Sequence, residues 1–325
     1  MEKVFIGIDI SKATLDIYVA STSLAQHYQL ENTPKAILKF FKTFDNTPNI
    51  IVAMEDTGRY NFALYAILST MNFSVYVVNP LHLKRSIGLL RGKNDKIDSQ
   101  RICRFIEKHY MDLELWKFSS LAIQKLSVLR TERRHRIKIK CGLKAQLKDE
   151  KFLKGIIDKE MIKLNKAMIT LIDEQIRIIE EKMMRIINAS TELKDQYQRL
   201  QSIPGVGKVL ATLMIIKTKG FTEIKSARKM ACYSGIAPFE HRSGSSIYYK
   251  PRVSTMADRE LKKILHLAAM SAIRLKNDLA LYYHRKVQEG KNKMAVLNAV
   301  RNKIIHRIYA IIKNNSVYQN NLFLS

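Results

Sequence analysis

The stretch Val4-Phe-Ile-Gly-Ile-Asp-Ile10 decides the fold class of the first part of the chain, because an almost unbroken apolar run of this length is typical of a buried β-strand. A second apolar run at 15–20 follows turn-prone residues, so the two runs are predicted to form a β-hairpin. Further apolar runs at 49–54 and 73–78 flank a helical pattern at 61–71. Strands that alternate with helices indicate an α/β domain, and the opening hairpin makes its sheet mixed.

The rest of the chain is predicted to be helical. It has only 12 glycines and 6 prolines among 325 residues, which argues against an all-β fold and for long helices. We therefore predict an α/β plus all-α protein in three parts. These are an α/β domain at residues 1–118, a basic helical and coiled-coil region at 119–195, and a helical domain at 196–325.

The charge balance points to a polyanionic partner. Lysine and arginine total 56 residues against 29 acidic residues, which gives a formal net charge of +27. Nucleic acid is the usual polyanion inside a cell. Three scattered cysteines exclude a disulfide framework and a zinc ribbon, and they suit a reducing compartment. No apolar stretch approaches the ~18 residues of a membrane helix, so we expect a cytoplasmic protein that does not enter a membrane.

Two periodic patterns mark the helical region. Basic residues at three- and four-residue steps form a stripe, which is either a solvated face or a surface that contacts nucleic-acid phosphates. The stripe consists of Arg133, Arg136, Lys140, Lys144 and Lys148, and its first four members are the predicted phosphate contacts. From position 169 to 186, apolar residues follow a heptad pattern, which fits either a helical hairpin within one chain or a coiled coil between two chains.

Four carboxylates in the first domain lie at positions that need an explanation. Asp9 is inside an apolar strand, where an unpaired charge is costly, and Glu55 ends a later apolar run. Asp95 and Asp98 are three residues apart at the start of a predicted helix, so both project from one face. Singly, each fits a structural role, such as a turn cap or a favourable charge at a helix N-terminus. Together they suit two divalent ions in phosphoryl transfer, and oxygen ligands favour Mg²⁺ or Mn²⁺ over zinc.

Two alternatives compete with this assignment. Asp16 and Asp56 are further acidic candidates, although Asp16 starts the second strand and is expected to point elsewhere. The segment Gly7-Ile-Asp-Ile-Ser11 is also similar to the first phosphate loop of actin-like sugar kinases. The other loops of those kinases are absent from this sequence, and a small-molecule kinase does not need a net charge of +27.

The segment Ile203-Pro-Gly-Val-Gly-Lys208 opens a predicted helix and resembles half of a helix–hairpin–helix motif. Gly205 and Gly207 let backbone N–H groups approach a phosphate at the helix N-terminus, and Lys208 adds a positive charge. Such a loop binds the nucleic-acid backbone without reading its sequence. A plain connection between two helices is the alternative.

A polar loop is predicted over residues 237–255, and its composition alone indicates a turn. The functional alternative is that Ser243 attacks a phosphodiester and holds it covalently. Arg242, Lys250 and Arg252 would then neutralise the phosphate.

A series of short motifs along nearly the whole chain resembles, in order and spacing, the DEDD-type transposases of insertion sequences, whose relatives include the pilin-gene inverting recombinases. The motifs are Ile6-Gly-Ile-Asp9, Glu55-Asp-Thr-Gly58, Asn79-Pro80, Lys93-Asn-Asp-Lys-Ile-Asp98, Ile203-Pro-Gly-Val-Gly207, Ser234-Gly-Ile-Ala-Pro238 and Ser243-Gly-Ser-Ser246. The resemblance implies a RuvC-like N-terminal domain with an RNase H fold and a helical C-terminal transposase domain. It also implies that Asp9, Glu55, Asp95 and Asp98 bind Mg²⁺ and that Ser243 is the nucleophile.

The same resemblance implies DNA strand exchange through a covalent phosphoserine, assembly as a homodimer or homotetramer, and guidance by a bridge RNA that pairs with donor and target DNA. The residues alone indicate a basic, metal-dependent enzyme that acts on nucleic-acid phosphodiesters. The alternatives are a RuvC-like endonuclease or Holliday-junction resolvase that uses metal-activated water, and a non-catalytic nucleic-acid-binding protein.

Overall fold

A computed structural model of the chain describes residues 3–45, 47–55, 58–80, 83, 94–149, 152–153, 155–243, 247–254 and 256–320. The chain forms two compact units, Met1–Phe118 and Ser119–Ser325. Within the described ranges, no helix combines the length and the apolar character that a membrane span requires.

The first unit is built on a five-stranded sheet with the order β3-β2-β1-β4-β5. Its strands are β1 (Val4–Ile10), β2 (Thr14–Ala20), β3 (Ala25–Glu31), β4 (Ile50–Glu55) and β5 (Ser74–Val78). β2 is antiparallel to β1 and β3, whereas β4 and β5 run parallel to β1. The predicted opening hairpin and mixed sheet are therefore confirmed. The sequence pattern misses β3, because this edge strand carries mostly polar side chains.

Helices cover both faces of this sheet. α1 (Pro34–Lys42) and α2 (Phe62–Leu68) pack on the face formed by the even-numbered residues of β1. α3 (Asp95–His109) packs on the opposite face, and 3₁₀ turns occur at Gly58–Asn61 and Tyr110–Asp112. The strand order and the placement of the helices are those of an RNase H-like domain, as the sequence analysis predicted.

A glycine in β1 lets α3 lie directly against the sheet. A Cβ atom on Gly7 would stand 2.3 Å from the backbone nitrogen of Cys103 and 2.3 Å from the carbonyl oxygen of Ser99. Only a residue without a side chain permits this approach. Because Asp9 lies two residues further along β1, it points to the same side of the sheet as Gly7.

The second unit is helical apart from one β-hairpin. Its helices are α4 (Leu121–Asp149), α5 (Lys159–Asn188), α6 (Thr191–Gln201), α7 (Lys208–Thr218), α8 (Ala227–Tyr233), α9 (Arg259–Ala272), α10 (Asp278–Gln288) and α11 (Lys293–Lys313). They enclose an aliphatic core, to which α11 contributes a buried stripe that includes Leu297, Ile304 and Ile311. The all-α second part of the predicted fold is therefore confirmed.

α4 and α5 pack against each other as an antiparallel hairpin. Arg136 near the middle of α4 donates to Gln175 of α5 at 2.9 Å. The heptad pattern of α5 supplies buried residues to this hairpin and to the core behind it, including Ile172, Ile179 and Met183. Of the two arrangements that the heptad pattern allowed, these residues adopt the one within a single chain.

Part of the predicted polar loop forms a second, two-stranded sheet. β6 (Phe239–Ser243) pairs with β7 (Ile247–Arg252) in an antiparallel hairpin, with a register irregularity between Phe239 and His241. The prediction of a loop over 237–255 is therefore wrong for these residues. The β-branched and aromatic residues that begin β7 favour a strand, which the short polar segment before them obscured.

Candidate active site

Asp9 places a carboxylate at the end of β1, on the side of the sheet that packs against α3. The side chain is partly buried, and one of its oxygens accepts a 3.1 Å hydrogen bond from the backbone N–H of Ile10. β1 is the central strand of the sheet, with β2 on one side and β4 on the other. The Asp9 carboxylate therefore lies on a strand that is hydrogen-bonded to a neighbouring strand on each side.

α3 brings two further carboxylates to Asp9. Asn94 caps the helix by accepting a 3.1 Å hydrogen bond from the backbone N–H of Lys96, which places Asp95 and Asp98 in the first turn. One carboxylate oxygen from each of Asp9, Asp95 and Asp98 lies within 4.8 Å of the other two. These three residues are the carboxylate cluster.

The surroundings of Asp9 disfavour its ionised form. Burial, followed by the negative charges of Asp95 and Asp98, raises the pKa of Asp9 from 3.8 to about 6. Asp98 also has a cationic neighbour, because Arg101 lies 2.7 Å away one turn along α3. Negative charges held close together in a partly buried place raise the free energy of the folded protein unless a carboxylate binds a proton or the group binds a cation.

Glu55 lies near the cluster but outside its 4.8 Å group. It ends β4, beside the end of β1, and its negative charge also contributes to the raised pKa of Asp9. Asp16 stands opposite Asp9 in the β1–β2 register, but its carboxylate accepts a 2.9 Å hydrogen bond from His27 on β3. Asp56 lies outside the described residues.

The donor set of the cluster fits a hard divalent cation. It offers carboxylate oxygens and no histidine or cysteine, which are the ligands of most zinc sites. Burial and then the neighbouring negative charges raise the pKa of Asp9, so the protein alone does not fully stabilise this ionised carboxylate. A divalent ion would supply that stabilisation.

Ser243, the predicted nucleophile, is the last residue of β6 and pairs in register with Ile247. Arg242 precedes it on the same strand, and Lys250 and Arg252 lie on β7. The four residues predicted to act on one phosphate thus belong to a single β-hairpin of the second unit. Residues 244–246, which connect its strands, lie outside the described residues.

The two glycines of the predicted phosphate loop have different surroundings. Gly205 adopts a positive φ of 85°, and a Cβ there would stand 2.3 Å from the carbonyl oxygen of Ala268 on α9. The close packing against α9 explains why a glycine is needed at this position. Gly207 is the N-cap of α7 and has open space around it, and Lys208 is the exposed first residue of that helix. Within the predicted phosphate loop, Gly207 and Lys208 are therefore the residues with free space around them or exposed to solvent.

Most of the predicted basic stripe is paired with carboxylates. Three of its four predicted phosphate contacts form ion pairs, two of them with α5 and one within α4. The pairs are Arg133–Glu180, Arg136–Glu132 and Lys140–Asp173. Lys144 is exposed and forms no ion pair with any residue that the structure describes. The two pairs with α5 join the helices of the hairpin, and all three pairs neutralise much of the stripe. Lys144 and the exposed Lys148 are therefore its most available members among the described residues.

An RNase H-like sheet with a carboxylate cluster at the end of its first strand defines a class of enzymes that act on nucleic-acid phosphodiesters. Within this class, a profile of DEDD transposases of the IS110 type matches residues 6–157, and the profile described as the transposase IS116/IS110/IS902 family matches residues 197–284. The chain belongs to this family of insertion-sequence transposases, which are enzymes that act on DNA and use divalent metal.

Individual relatives are consistent with the family. The chain is 26% identical over 323 residues to the pilin gene-inverting protein of Moraxella bovis, covering 97% of both chains. It is 25% identical over 291 residues to a putative transposase, y4pF/y4sB, of Sinorhizobium fredii, covering 82% of this chain and 72% of the relative. An uncharacterized 43.6 kDa protein of insertion element IS110 from Streptomyces coelicolor is 28% identical over 158 residues, which are 48% of this chain and 37% of that protein.

Two residues that support the site were not among the predicted functional residues. Gly7 permits the close approach of α3, and Asn61 donates a 3.0 Å hydrogen bond to the carbonyl oxygen of Glu55. A glycine inside an apolar strand is a signal for close backbone approach, so Gly7 could have been found from the sequence. Asn61 could not, because its partner is a backbone atom on another element.

Proposed function

We propose that the chain is a site-specific DNA recombinase of an insertion sequence, which cuts and rejoins DNA strands through a covalent phosphoserine intermediate. The observation that carries this proposal is the carboxylate cluster of Asp9, Asp95 and Asp98 on an RNase H-like sheet, with Glu55 beside it. The pilin gene-inverting protein of Moraxella bovis supports it, because inverting a gene requires strands to be cut and rejoined.

In this proposal Asp9, Glu55, Asp95 and Asp98 hold the divalent metal, with Mg²⁺ preferred and Mn²⁺ able to replace it. A divalent ion held by these residues would supply stabilisation of the charge that develops on the attacking and leaving oxygens. Asp9 contributes from the sheet, and Asp95 and Asp98 contribute from α3. The rigid contact between Gly7 and α3 maintains the spacing of these carboxylates.

Ser243 supplies the nucleophile. Its hydroxyl oxygen forms a bond to the scissile phosphorus, the bond from phosphorus to the sugar oxygen breaks, the serine proton passes to a base, and the leaving oxygen gains a proton. A hydroxyl of the second strand then attacks the phosphoserine and releases Ser243. Because each step exchanges one phosphate ester for another, rejoining requires no nucleotide hydrolysis. Arg242, Lys250 and Arg252 neutralise the phosphate.

The three predicted parts of the chain receive different roles in this proposal. Residues 1–118 carry the metal centre, residues 119–195 contact nucleic acid and a second protomer, and residues 196–325 carry the serine. Donor DNA, target DNA and a bridge RNA are the proposed nucleic-acid partners, and a net charge of +27 supports binding of more than one of them. The proposed nucleic-acid contacts in the helical parts are Arg133, Arg136, Lys140, Lys144, Gly205, Gly207 and Lys208. The cytoplasm, where these partners occur, is the proposed location.

A homodimer or homotetramer is the proposed assembly. An apolar stripe on α5, outside the buried seam, supports it. Its first four members follow three- and four-residue steps and the fifth lies seven residues further on, beyond the polar Gln175. All five are exposed in the described chain: they are Met161, Leu164, Met168, Leu171 and Ile178. An exposed heptad stripe of this kind is typical of a helix that packs against another protomer.

The decisive experiment is a search for the covalent adduct. The full chain is incubated with Mg²⁺, the DNA ends of the element, target DNA and the flanking non-coding RNA, and the products are separated on a denaturing gel. We expect a protein–DNA adduct with the wild type and with the control Ser245→Ala, and none with Ser243→Ala. Metal-dependent cuts without an adduct, unaffected by Ser243→Ala, would instead establish the hydrolytic resolvase, which needs only the carboxylate cluster.

A matched pair of substitutions tests the metal centre in the same assay. Asp9→Asn should reduce cleavage at least about a hundredfold, while salt-sensitive DNA binding stays within about twofold of wild type. Asp16→Asn, on the neighbouring strand, should retain cleavage, because its carboxylate bonds to His27 outside the cluster. Equal loss in both variants would contradict the assigned role of Asp9.

A further inference from the structure

A cavity of about 540 Å³ lies in the second unit, where the α4–α5 hairpin meets α6 and the start of α7. Part of its wall is apolar and is formed by Met183, Met184 and Val209. Another part is cationic, with side chains contributed by Arg130, Arg133, Arg177, Arg185 and Lys208. The cavity is therefore amphipathic, and it lies in a region that the carboxylate cluster does not include.

The unpaired charge of the cavity is positive. Three of its five cations form ion pairs with glutamates. Both carboxylates of the wall, Glu180 and Glu181, belong to those pairs. Arg185 and Lys208 form no ion pair with any residue in the described part of the chain. These two side chains are available to an anionic ligand.

The N-terminus of α7 adds backbone donors to the same place. The N-cap of this 11-residue helix is Gly207, which has no side chain to cap the first turn, and the first turn contains no acidic residue. Lys208 and Val209, its first two residues, both line the cavity. Free N–H groups and the helix dipole at such a terminus attract a phosphate.

Tyr197 of α6 gives the wall an aromatic surface. The residue is 4% exposed and its phenol oxygen is buried, so the ring and not the hydroxyl faces the cavity. Together with Met183 and Met184, the ring offers a surface on which a flat base can pack, which inorganic phosphate does not need.

We propose that this cavity binds one unstacked nucleotide. Its phosphate lies at the N-terminus of α7 with Lys208 and Arg185, and its base packs on Met183, Met184 and the ring of Tyr197. The volume is within the range of about 300–1,000 Å³ typical of small-molecule sites. A base outside a duplex is what such a site accepts, since its flat face and its edge are both accessible.

The nucleotide can come from two sources, a free mononucleotide or one residue of a single strand, and the test separates them. All measurements use the full chain in EDTA, so that failure of the metal centre does not affect them. In the first, 5′-dAMP, deoxyribose 5-phosphate and inorganic phosphate are titrated calorimetrically. In the second, a single-stranded oligonucleotide with one 4-thiothymine is photo-crosslinked, and the attached peptide is identified by mass spectrometry.

We expect 5′-dAMP to bind more tightly than either base-free phosphate, or the crosslink to lie within residues 183–212, or both. Binding of 5′-dAMP without that crosslink identifies a free nucleotide as the occupant, and the crosslink without 5′-dAMP binding identifies a strand. Equal affinity for 5′-dAMP and phosphate with crosslinks only elsewhere would overturn the proposal, as would the absence of both signals.

Substitutions in the wall test whether the nucleotide binds in this cavity. Lys208→Ala should weaken binding at least about tenfold, whereas Tyr197→Phe, which keeps the aromatic ring, should leave it unchanged. Both should keep the wild-type melting temperature, because the phenol oxygen has no partner and Lys208 is exposed. Tyr282→Phe and Lys313→Ala, outside the cavity, are the matched controls and should leave binding unchanged. Equal losses in Lys208→Ala and Lys313→Ala would contradict the assigned site.

Discussion

Asp9 shows how one residue connects the strand pattern with the chemistry. It occupies an odd-numbered position of β1, so its carboxylate faces α3, whereas the apolar even-numbered residues face α1 and α2. Asp95 and Asp98 approach it from the first turn of α3. The protein thus holds negative charges together in a partly buried place, which is unfavourable for folding and favourable for binding a cation.

The raised pKa of Asp9 predicts a pH-dependent stability. Its folded pKa of about 6 lies above the ordinary 3.8, so the metal-free protein loses stability as pH rises from about 4 to about 6 and then stays constant. Asp9→Asn removes this cost. In EDTA, we expect the variant to melt at the same temperature as wild type at pH 4 and at a higher temperature at pH 8.

Addition of Mg²⁺ provides the complementary measurement. At pH 8 it should raise the melting temperature of the wild type and leave that of Asp9→Asn nearly unchanged, because the variant lacks a ligand. Below pH 6 the effect should weaken, since protons then compete with the metal for Asp9. An Asp9→Asn melting temperature below that of wild type at pH 8 in EDTA would refute the electrostatic explanation.

The positions of the carboxylates in the cluster depend on the close contact between β1 and α3. Gly7→Ala would place a methyl group 2.3 Å from backbone atoms of Cys103 and Ser99, which cannot yield without moving the helix. We expect destabilisation by about 1–3 kcal/mol or more, together with loss of the Mg²⁺-dependent rise in melting temperature.

Gly142→Ala is the matched control, because it lies inside α4 with no atom within 4 Å of its Cβ position. It should stabilise the chain by up to about 1 kcal/mol. Differential scanning calorimetry compares both variants. A Gly7→Ala protein with wild-type stability and metal response would show that α3 does not need this approach.

The two faces of α5 differ in what they bury, and neighbouring residues distinguish them. Leu171 is 59% exposed on the apolar stripe, whereas Ile172 is 7% exposed in the seam with α4. Leu171→Lys should reduce the sedimentation coefficient towards that of a monomer and leave the helical circular dichroism intact. Ile172→Lys should lower the melting temperature, because it buries an unpaired charge. Unchanged self-association in Leu171→Lys would exclude this stripe from the interface.

At the scale of the whole molecule, the net charge of +27 determines how binding responds to salt. Each lysine or arginine that contacts a phosphate releases counterions. If roughly six to ten phosphates are contacted, affinity for DNA should fall about 10³- to 10⁵-fold between ~50 and ~200 mM salt. Fluorescence anisotropy measures this slope. A flat response would show that the surplus charge is not used on nucleic acid.

The larger elements were predictable from the sequence, and the smaller ones depended on context. β1, β2 and the long helices follow from apolar periodicity, which reports burial directly. β3 escaped prediction because an edge strand buries little, and β6 and β7 escaped because their pairing is local and mostly polar. The heptad pattern of α5 established a packed helix, but a pattern does not state which helix is its partner.

The sequence by itself determined the fold class, the acidic residues on β1 and α3, and the basic character of the whole chain. Each of these depends on residue type and on spacing along a single element. Only the tertiary structure decided that Asp9, Asp95 and Asp98 meet within 4.8 Å, that most of the basic stripe pairs with carboxylates, and that Tyr197 and Lys208 line one cavity. Those relations join residues far apart in the chain, and packing alone establishes such distances.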